Sequence, residues 1–432
     1  MRFLMIPMQF PTTEGQSYLT TELADALVAS GHHVEVLHLD WAASPSSVVD
    51  EFATQSGVRV VRCSPNFLRS FGPLVRNASK FILSGRRAAR IAEQHFELKS
   101  FDAAIAWMPA MAIAPLLKKI ARAGIRHRLL FIWDFFPDHH HEIGRIPGGL
   151  PLRVARAWEQ KLMARFTAVI CTLAGNAAYL RRRFRLRPGQ QVFVTPIWAE
   201  TSPAPAADRV AVRRRFALPE DAPIAVFGGQ LVEGRGFEQM LAAADVALQS
   251  GSDLIFLFVG DGRLAPVIRE RAARQTNVIY RPPVTRAEYL QLLGACDVGM
   301  IATVPGVTSF SIPSKTVDYL RAGLPIIAAV EHGNDFADIL RSYDVGSSVS
   351  FGDAEGFLAE AQRLAKCGRI NEAAVRCLRE VFDVRRAVAT VLEAAGETAE
   401  AAVLREPALS SHRPRRMQAE ARTAHRQPSA AA

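Results

Sequence analysis

The chain has 432 residues, a formal net charge of +10 and 49% hydrophobic residues, which suffices for two or three folded domains. Its longest apolar stretch, residues 103–117, is interrupted by Pro109 and Pro115 and falls short of the roughly 20 residues that a membrane-spanning helix needs. The five cysteines are widely spaced and form no Cys-x-x-Cys pair, which argues against a disulfide framework or a zinc site and favours a reducing cytoplasm.

In the first part of the chain, apolar strands alternate with amphipathic helices. "RFLMIP" predicts a strand, residues 12–31 contain a helix that stops at Gly31, and "HHVEVLHL" predicts a second strand. The alternation continues through "DAAIAWM", "HRLLFIWD" and "TAVICTL" to "QVFVTPIW". It predicts a parallel sheet with helices on both faces over residues 1–200.

A Pro- and Ala-rich stretch without apolar periodicity then predicts a linker over residues 201–211. The strand and helix alternation restarts after it and predicts a second domain over residues 212–383. Residues 384–400 form a last helix that can pack back on the first domain. The sequence therefore predicts an α/β protein of two tandem, doubly wound, Rossmann-like domains.

The end of the chain differs in composition from both domains. Residues 404–432 hold six arginines against two glutamates and no aromatic residue, so we expect a disordered basic tail. Two interpretations of the tail stay open, namely a tether to a membrane surface and an extension without function.

Three strand-to-helix turns of the second domain contain small or charged residues. They are "FGGQLVEGRGFEQ" with Gly229, "FVGDGRL" with Gly260, Asp261 and Gly262, and "SFSIPSKTVDYLRAGLPIIAA" from Ser309 to Ala329. Ligands of an open parallel sheet bind beyond the carboxyl ends of its strands, often at the start of a helix. Each turn alone is also typical of ordinary packing, but three turns at one edge indicate a binding site.

The third turn has the chemistry of a nucleotide-diphosphate site. Pro313 suits a first helical turn because its missing N–H is not needed there. The N–H of Ser314 and the ammonium of Lys315 suit a phosphate, and Asp318, about one turn further on, can accept hydrogen bonds from two vicinal hydroxyls. Arg235 from the first turn can neutralise a second phosphate. The alternative is a surface helix with a capping serine and solvated charges.

These motifs resemble those of the family-four (group 1) retaining glycosyltransferases of the GT-B fold, in their exopolysaccharide type. The resemblance extends over about residues 1–395. In the second domain it includes the Gly-Asp-Gly loop "FVGDG" and a Pro-Ser-Lys variant of the donor-binding helix. In the first domain Gly15 stands where the family has a glycine-rich loop, and "FIWDFFPD" is similar to an Asp-x-x-Pro turn. The resemblance implies two domains that face a central cleft.

The chain departs from the family pattern at the donor sugar. The family has two glutamates with seven residues between them, whereas this chain has Phe310 and Asp318 at these positions. Contacts to the sugar hydroxyls then fall to Ser309, Ser311 or the backbone.

Two further positions differ from the family pattern. Gln230 stands where the family often has a phosphate-binding arginine, and Arg235 matches the position of its usual lysine. Many members have a histidine at the position of Trp107.

A second polar cluster follows a strand of the first domain. "WDFFPDHHHEIGR" contains Asp134, Asp138, His139, His140 and His141. Three interpretations are open: a zinc site, a solvated loop, and acceptor binding with a general base. Adjacent histidines on one turn rarely converge on one metal, so we expect no metal. The resemblance implies that this loop faces the donor domain, which suits Asp134 or a histidine as the base.

The resemblance implies hexosyl transfer from a nucleotide-diphosphate sugar to a saccharide or polyprenyl-linked saccharide, with retention, in bacterial exopolysaccharide, capsule or lipopolysaccharide synthesis. Arg235 and Lys315 would stabilise the leaving charge, so no cofactor is expected. The basic stretch Phe67–His95 is either a covering helix or a contact to an anionic membrane on the cytoplasmic side.

Three other functions stay open. They are a GT-B sugar-nucleotide epimerase, a non-catalytic nucleotide-sugar-binding protein and a basic nucleic-acid-binding protein. No helix-turn-helix, zinc or RNA-recognition motif is present, so nucleic acid is not an expected partner.

Overall fold

The computed structural model describes residues 1–11, 18–44, 48–66, 68, 73–142, 144, 146–199, 201–304, 312–330 and 335–405, with only the backbone for residues 73–78. Gly15, Ser309, Phe310 and Ser311 lie outside the described residues. The described residues form two α/β domains, each built on its own sheet. None of the helices in these ranges combines the length and the apolar character needed to cross a membrane.

The first domain has a sheet of eight strands in the order β3-β4-β2-β1-β5-β6-β7-β8. Its strands are β1 (Arg2–Ile6), β2 (His33–Leu39), β3 (Val49–Ala53), β4 (Arg59–Cys63), β5 (Ala103–Trp107), β6 (His127–Ile132), β7 (Ala168–Cys171) and β8 (Gln191–Val194). Its helices are α1 (Leu19–Ala29), α2 (Pro73–His95), α3 (Ala114–Arg122), α4 (Asp138–Glu142), α5 (Leu150–Met163) and α6 (Ala174–Arg183). All pairs are parallel except β3 with β4, so β3 is an edge strand that the alternation of the sequence did not predict.

The second domain has a parallel sheet of six strands in the order β11-β10-β9-β12-β13-β14. Its strands are β9 (Ile224–Gly228), β10 (Ile255–Val259), β11 (Val278–Arg281), β12 (Val298–Ala302), β13 (Ile326–Ala329) and β14 (Gly346–Val349). The remaining helices are α7 (Arg209–Arg215), α8 (Phe237–Gln249), α9 (Ala265–Arg274), α10 (Arg286–Gly294), α11 (Lys315–Arg321), α12 (Asp335–Ser342), α13 (Ala354–Cys367), α14 (Asn371–Val381), α15 (Val384–Ala394) and α16 (Thr398–Arg405).

The central strands of both sheets are buried on both faces, as the doubly wound pattern requires. Phe3 and Met5 of β1 enter one hydrophobic cluster, while Leu4 and Ile6 enter another. Every residue of β9 is buried, because helices cover both sides of its sheet. The prediction of two Rossmann-like α/β domains is confirmed.

The strand order fixes where a ligand can bind. In the second domain the chain passes from β9 through β10 to β11 and then returns to place β12 on the other side of β9. In the first domain the same change of direction lies between β1 and β5. Crevices open at such switch points, beyond the carboxyl ends of the strands.

The chain passes between the two domains twice, and two hydrogen bonds donated by backbone N–H groups join them. Ala199 N donates a hydrogen bond to Phe382 O at 2.9 Å, and α15 then packs against α1 and β8 of the first domain. Gly175 N, at the start of α6, donates to Asp335 Oδ2 of α12 at 2.6 Å. The first contact lies where the chain leaves the first domain and where it returns to it, and the second joins the helices that follow β7 and β13.

One arginine of the cluster in α7 stabilises the fold. Arg213 is 1% exposed, and its guanidinium donates to Asp297 Oδ2 at 2.9 Å and to four carbonyl oxygens. The same Asp297 oxygen accepts from Ile224 N at 2.8 Å, so the arginine fixes the start of β9. Arg214, by contrast, is exposed and pairs only with Glu220 on the surface.

Loss of Arg213 should therefore destabilise the second domain, whereas loss of its neighbour should not. We expect Arg213→Met to lower the free energy of unfolding by about 3–5 kcal/mol, since it leaves buried carbonyls and the Asp297 carboxylate under-compensated. Arg214→Met is the matched control and should leave stability almost unchanged. Urea denaturation followed by fluorescence measures both, and equal stability of the two variants would contradict the structural role of Arg213.

Candidate active site

A cleft of about 790 Å³ lies between the two domains. From the first domain it is lined by Gln9, Pro11 and Tyr18. From the second domain it includes eight residues that the sequence predicted, namely Gly229, Gln230, Arg235, Gly260, Asp261, Ser314, Lys315 and Asp318. The three strand-to-helix turns therefore converge on one surface, as the position of the switch point requires.

Glycines allow two of these turns to pack against each other. Gly260 has a φ of +145°, and a Cβ on it would lie 1.9 Å from the carbonyl oxygen of Gly229. Gly229 N in turn donates to Val259 O at 2.9 Å. Gly262 is not part of the cleft wall, because it packs behind the loop against the backbone of Leu231.

Arg235 is placed by the glycine that follows it. Gly236 caps the start of α8 with a φ of +62°, and a Cβ there would lie 2.5 Å from both Ala302 Cβ and Thr303 O. This close approach sets the start of α8 directly on the end of β12. The exposed Arg235 side chain is thereby presented at the cleft.

Lys315 is half-buried, with its ammonium 4.5 Å from the centre of the Phe227 ring. Burial and the nearby Arg235 charge lower the pKa of Lys315 to about 7, against a smaller opposing effect of Asp318. The two cations are therefore close enough to repel each other. An anion between them would relieve this repulsion.

The helix of the third turn is shorter than the sequence suggests. α11 begins at Lys315, with Ser314 as its N-cap, so Pro313 lies before the helix and not in its first turn. The helix has only seven residues, which weakens its dipole. The positive charge of this wall therefore comes mainly from side chains.

Asp318 is not free in the cleft, since Arg286 holds both of its oxygens. Arg286 Nη1 donates to Oδ2 at 2.7 Å, and Nη2 donates to Oδ1 at 2.5 Å. This pairing also raises the pKa of Arg286. Two further residues that line the cleft, Arg286 and Tyr289, follow β11 and were not predicted from the sequence. "RPPVTRAEYL" is a fourth strand-to-helix turn at the same edge, and the argument used for the other three would have found it.

Tyr18, which lines the cleft from the first domain, was not predicted from the sequence either. It stacks edge-on against Trp133, with ring centres 5.8 Å apart. Burial raises the pKa of Tyr18 to about 12, the Asp134 charge adds to this effect, and the Arg235 charge opposes it. Tyr18 therefore keeps its proton and lies within reach of the charges of both domains. Asp134 is exposed and 3.9 Å from His139 Nε2.

The structure corrects the expectation that Asp138 contacts the acceptor. This carboxylate is buried and accepts hydrogen bonds from Arg156 and Arg183, so both of its oxygens face the protein interior. His141 contacts the Ile146 carbonyl through Nδ1 at 2.9 Å. His140 packs edge-on against the ring of Phe136. Of the residues predicted in this segment, Asp134 influences Tyr18 through its charge, and His139 lies beside Asp134.

The two domains match two models of known domain families. Residues 14–198 match a glycosyl transferase 4-like domain, and residues 222–367 match a domain of the glycosyl transferases group 1. The two matches follow the same order as the two sheets and together span most of the chain.

Two curated relatives and a solved structure are similar to the chain. The probable glycosyltransferase WbjE of Pseudomonas aeruginosa is 25% identical over 241 residues, which are 51% of this chain and 57% of that protein. The putative colanic acid biosynthesis glycosyl transferase WcaI of Escherichia coli is 22% identical over 77% of this chain and 84% of its own length.

Among solved structures, Anabaena Alr3699/HepE in complex with UDP-glucose superposes with a TM-score of 0.60 and 14% identity. The superposition covers 93% of this chain and 99% of that one, so the two proteins share both domains of the fold. From the two domain matches and this architecture, the chain belongs to the GT-B glycosyltransferases that join a glycosyl transferase 4-like domain to a group 1 domain.

Proposed function

We propose that the protein transfers a hexose from a nucleotide-diphosphate sugar to a hydroxyl of a saccharide acceptor, with retention at the anomeric carbon. The observation that carries the proposal is the convergence of Arg235, Lys315 and Asp318 on one interdomain cleft. Two repelling cations beside a carboxylate suit a diphosphate joined to a ribose. The structurally similar protein HepE was solved in complex with UDP-glucose, which supports a nucleotide sugar as the donor.

The reaction requires stabilisation of the negative charge that develops on the leaving group. As the sugar departs, negative charge grows on the diphosphate while the sugar ring becomes oxocarbenium-like. Arg235 and Lys315 are fixed before the reaction and meet this charge without reorganising. Because these side chains supply the positive charge, we propose that transfer requires no metal cofactor.

The acceptor side of the proposal rests on the first domain. Asp134 is exposed, its charge raises the pKa of Tyr18, and it lies near His139. It is therefore the best-placed candidate for a general base. The neutral hydroxyl of Tyr18 can hydrogen-bond a sugar hydroxyl while its ring packs on Trp133. Closure of the domains around both substrates would exclude water and suppress donor hydrolysis.

The relatives indicate the class of product. WcaI is named for colanic acid biosynthesis, which supports an acceptor that belongs to a bacterial exopolysaccharide, capsule or lipopolysaccharide. Acceptors of this kind are often carried on a polyprenyl lipid, so we propose a cytoplasmic enzyme that works at the inner face of the plasma membrane.

Helix α2 has a surface that fits an anionic membrane. Arg86 and Arg90 are exposed one turn apart, and Ile82 precedes them on the same side. Lys80, by contrast, donates to Trp41 O at 3.0 Å and lies over the Trp41 ring. Lys80 is therefore used within the fold, whereas Arg86 and Arg90 can face phospholipid headgroups.

One assay can test both sugar transfer and the roles of Arg235 and Lys315 in it. With a panel of UDP-, GDP- and dTDP-sugars assayed in EDTA, Lys315→Ala and Arg235→Ala should each lower turnover by roughly 10²–10³ with folding intact. Arg274→Ala removes an equal charge from an exposed pair on α9 and should leave turnover unchanged. Normal turnover of both cleft variants would remove their roles, and conversion of the donor without acceptor would indicate an epimerase.

The pKa of Lys315 makes donor binding dependent on pH. Below pH 7 the free protein already has a protonated Lys315, whereas above it binding must take up a proton, because the diphosphate raises the pKa of the ammonium. We expect the Kd of UDP-glucose to increase up to about tenfold per pH unit above pH 7. Isothermal titration calorimetry from pH 6 to 9 measures this, with Lys315→Met as the pH-independent control. A flat profile of the wild-type protein would contradict it.

Membrane contact through α2 predicts binding that depends on salt. Wild-type protein should float with phosphatidylglycerol vesicles at low ionic strength and release at high salt. The double variant Arg86→Gln/Arg90→Gln should lose most of this binding, while Arg181→Gln/Arg182→Gln on the exposed end of α6 should retain it. Wild-type protein that never floats would favour a soluble acceptor.

A further inference from the structure

The ion pair between Arg286 and Asp318 lies in the wall of the cleft, yet the proposed transfer uses only the carboxylate. Some exposed arginine pairs among the described residues are different in kind. Arg274 with Glu270, for example, joins neighbouring turns of one helix at the outer surface. Arg286 instead reaches from α10 to α11, and its pair faces the ligand space.

The pair is held from both sides by fixed backbone. Arg286 is the first residue of α10, whose start is closed by a capping box in which Thr285 and Glu288 exchange hydrogen bonds of 3.0 and 3.3 Å. On the other side, Asp318 precedes the buried Tyr319, whose hydroxyl donates to Val226 O at 3.1 Å. The fold itself therefore sets the geometry of the guanidinium and the carboxylate.

This geometry leaves part of the carboxylate available. An ionised carboxylate has about four lone-pair positions, and a bidentate guanidinium occupies two of them. The other two can accept hydroxyl groups of a ligand in the cleft. Without Arg286, the carboxylate can be attracted by Lys315, three residues before it on the same helix, whose pKa already responds to the Asp318 charge.

We propose that Arg286 is a positioning residue, which holds the Asp318 carboxylate toward the ribose hydroxyls of a nucleotide and away from the Lys315 ammonium. The proposal rests on the function proposed above. It makes Arg286 a determinant of selectivity for ribose over 2′-deoxyribose. The fork of the guanidinium is essential to this role, because a point charge would attract the carboxylate without fixing its orientation.

The experiment compares matched nucleotides on the full chain. UDP and GDP are titrated by calorimetry beside dUDP and dGDP, against wild-type protein, Arg286→Lys, Arg286→Gln and Asp318→Asn. The wild-type protein should prefer the ribonucleotide by about tenfold or more, since a hydroxyl bonded to a carboxylate is lost in the deoxy form. All three variants should lose this preference, while their affinity for the deoxynucleotide stays within about threefold of the wild-type value.

Arg274→Gln is the control and should keep the wild-type preference. The positioning role is overturned if Arg286→Lys keeps it too, because charge without the fork would then suffice. It is also overturned if Arg286→Gln weakens both nucleotides equally, which would indicate a direct contact to the diphosphate. If none of the nucleotides binds the wild-type protein, the proposed function fails and the positioning role fails with it. Binding without any ribose preference overturns the positioning role alone.

Discussion

The site depends on two cations, Arg235 and Lys315, which face one cleft and form no ion pair within the described part of the chain. Arg235 is exposed there, and its charge helps to lower the pKa of the half-buried Lys315 to about 7. Repulsion of this kind is unfavourable in the empty protein, and the fold tolerates it because the sheet and Gly236 fix both backbones. A bound dianion converts the repulsion into attraction, so the same arrangement that weakens the empty site favours the departing diphosphate.

Two other arginines of the second domain have the opposite role. Arg213 is buried among carbonyl oxygens and Asp297, and Arg369 donates to carbonyls at the ends of α10 and α11. These side chains satisfy backbone acceptors at helix ends, where cations are most favourable. The positive formal charge of the chain is thus divided between groups that hold the fold and groups that remain available in the cleft. A count of charges in the sequence does not separate the two.

The sequence predicted the parts of the structure that follow from periodicity and from the rule for strand ends. Alternation of strands and helices was enough for two doubly wound domains, and the glycine- and lysine-containing turns were enough for eight residues of the cleft wall. What the sequence could not supply is the direction of each polar side chain. Asp138 and Asp134 are four residues apart on one loop, yet one is buried under Arg156 and Arg183 while the other is exposed. Tyr18 was missed because its importance comes from charges of both domains. Arg286 was missed because its turn contains neither the glycines nor the lysine that marked the other three.

The carboxylates around the cleft explain how its cations stay available. An aspartate free to move would turn toward Lys315 or Arg235 and away from a ligand hydroxyl. Asp318 is instead held by Arg286, and Asp261 is occupied by its own loop, where Oδ1 accepts from Gly262 N at 2.8 Å. Asp134 belongs to the other domain, and its charge and that of Arg235 act on Tyr18 in opposite directions. Asp318 and Asp261 are thus held by neighbouring groups of the second domain, while Asp134 acts from the first domain. We infer that this engagement of Asp318 and Asp261 sets the direction of both carboxylates before a ligand binds, so that Arg235 and Lys315 remain the groups that meet its diphosphate.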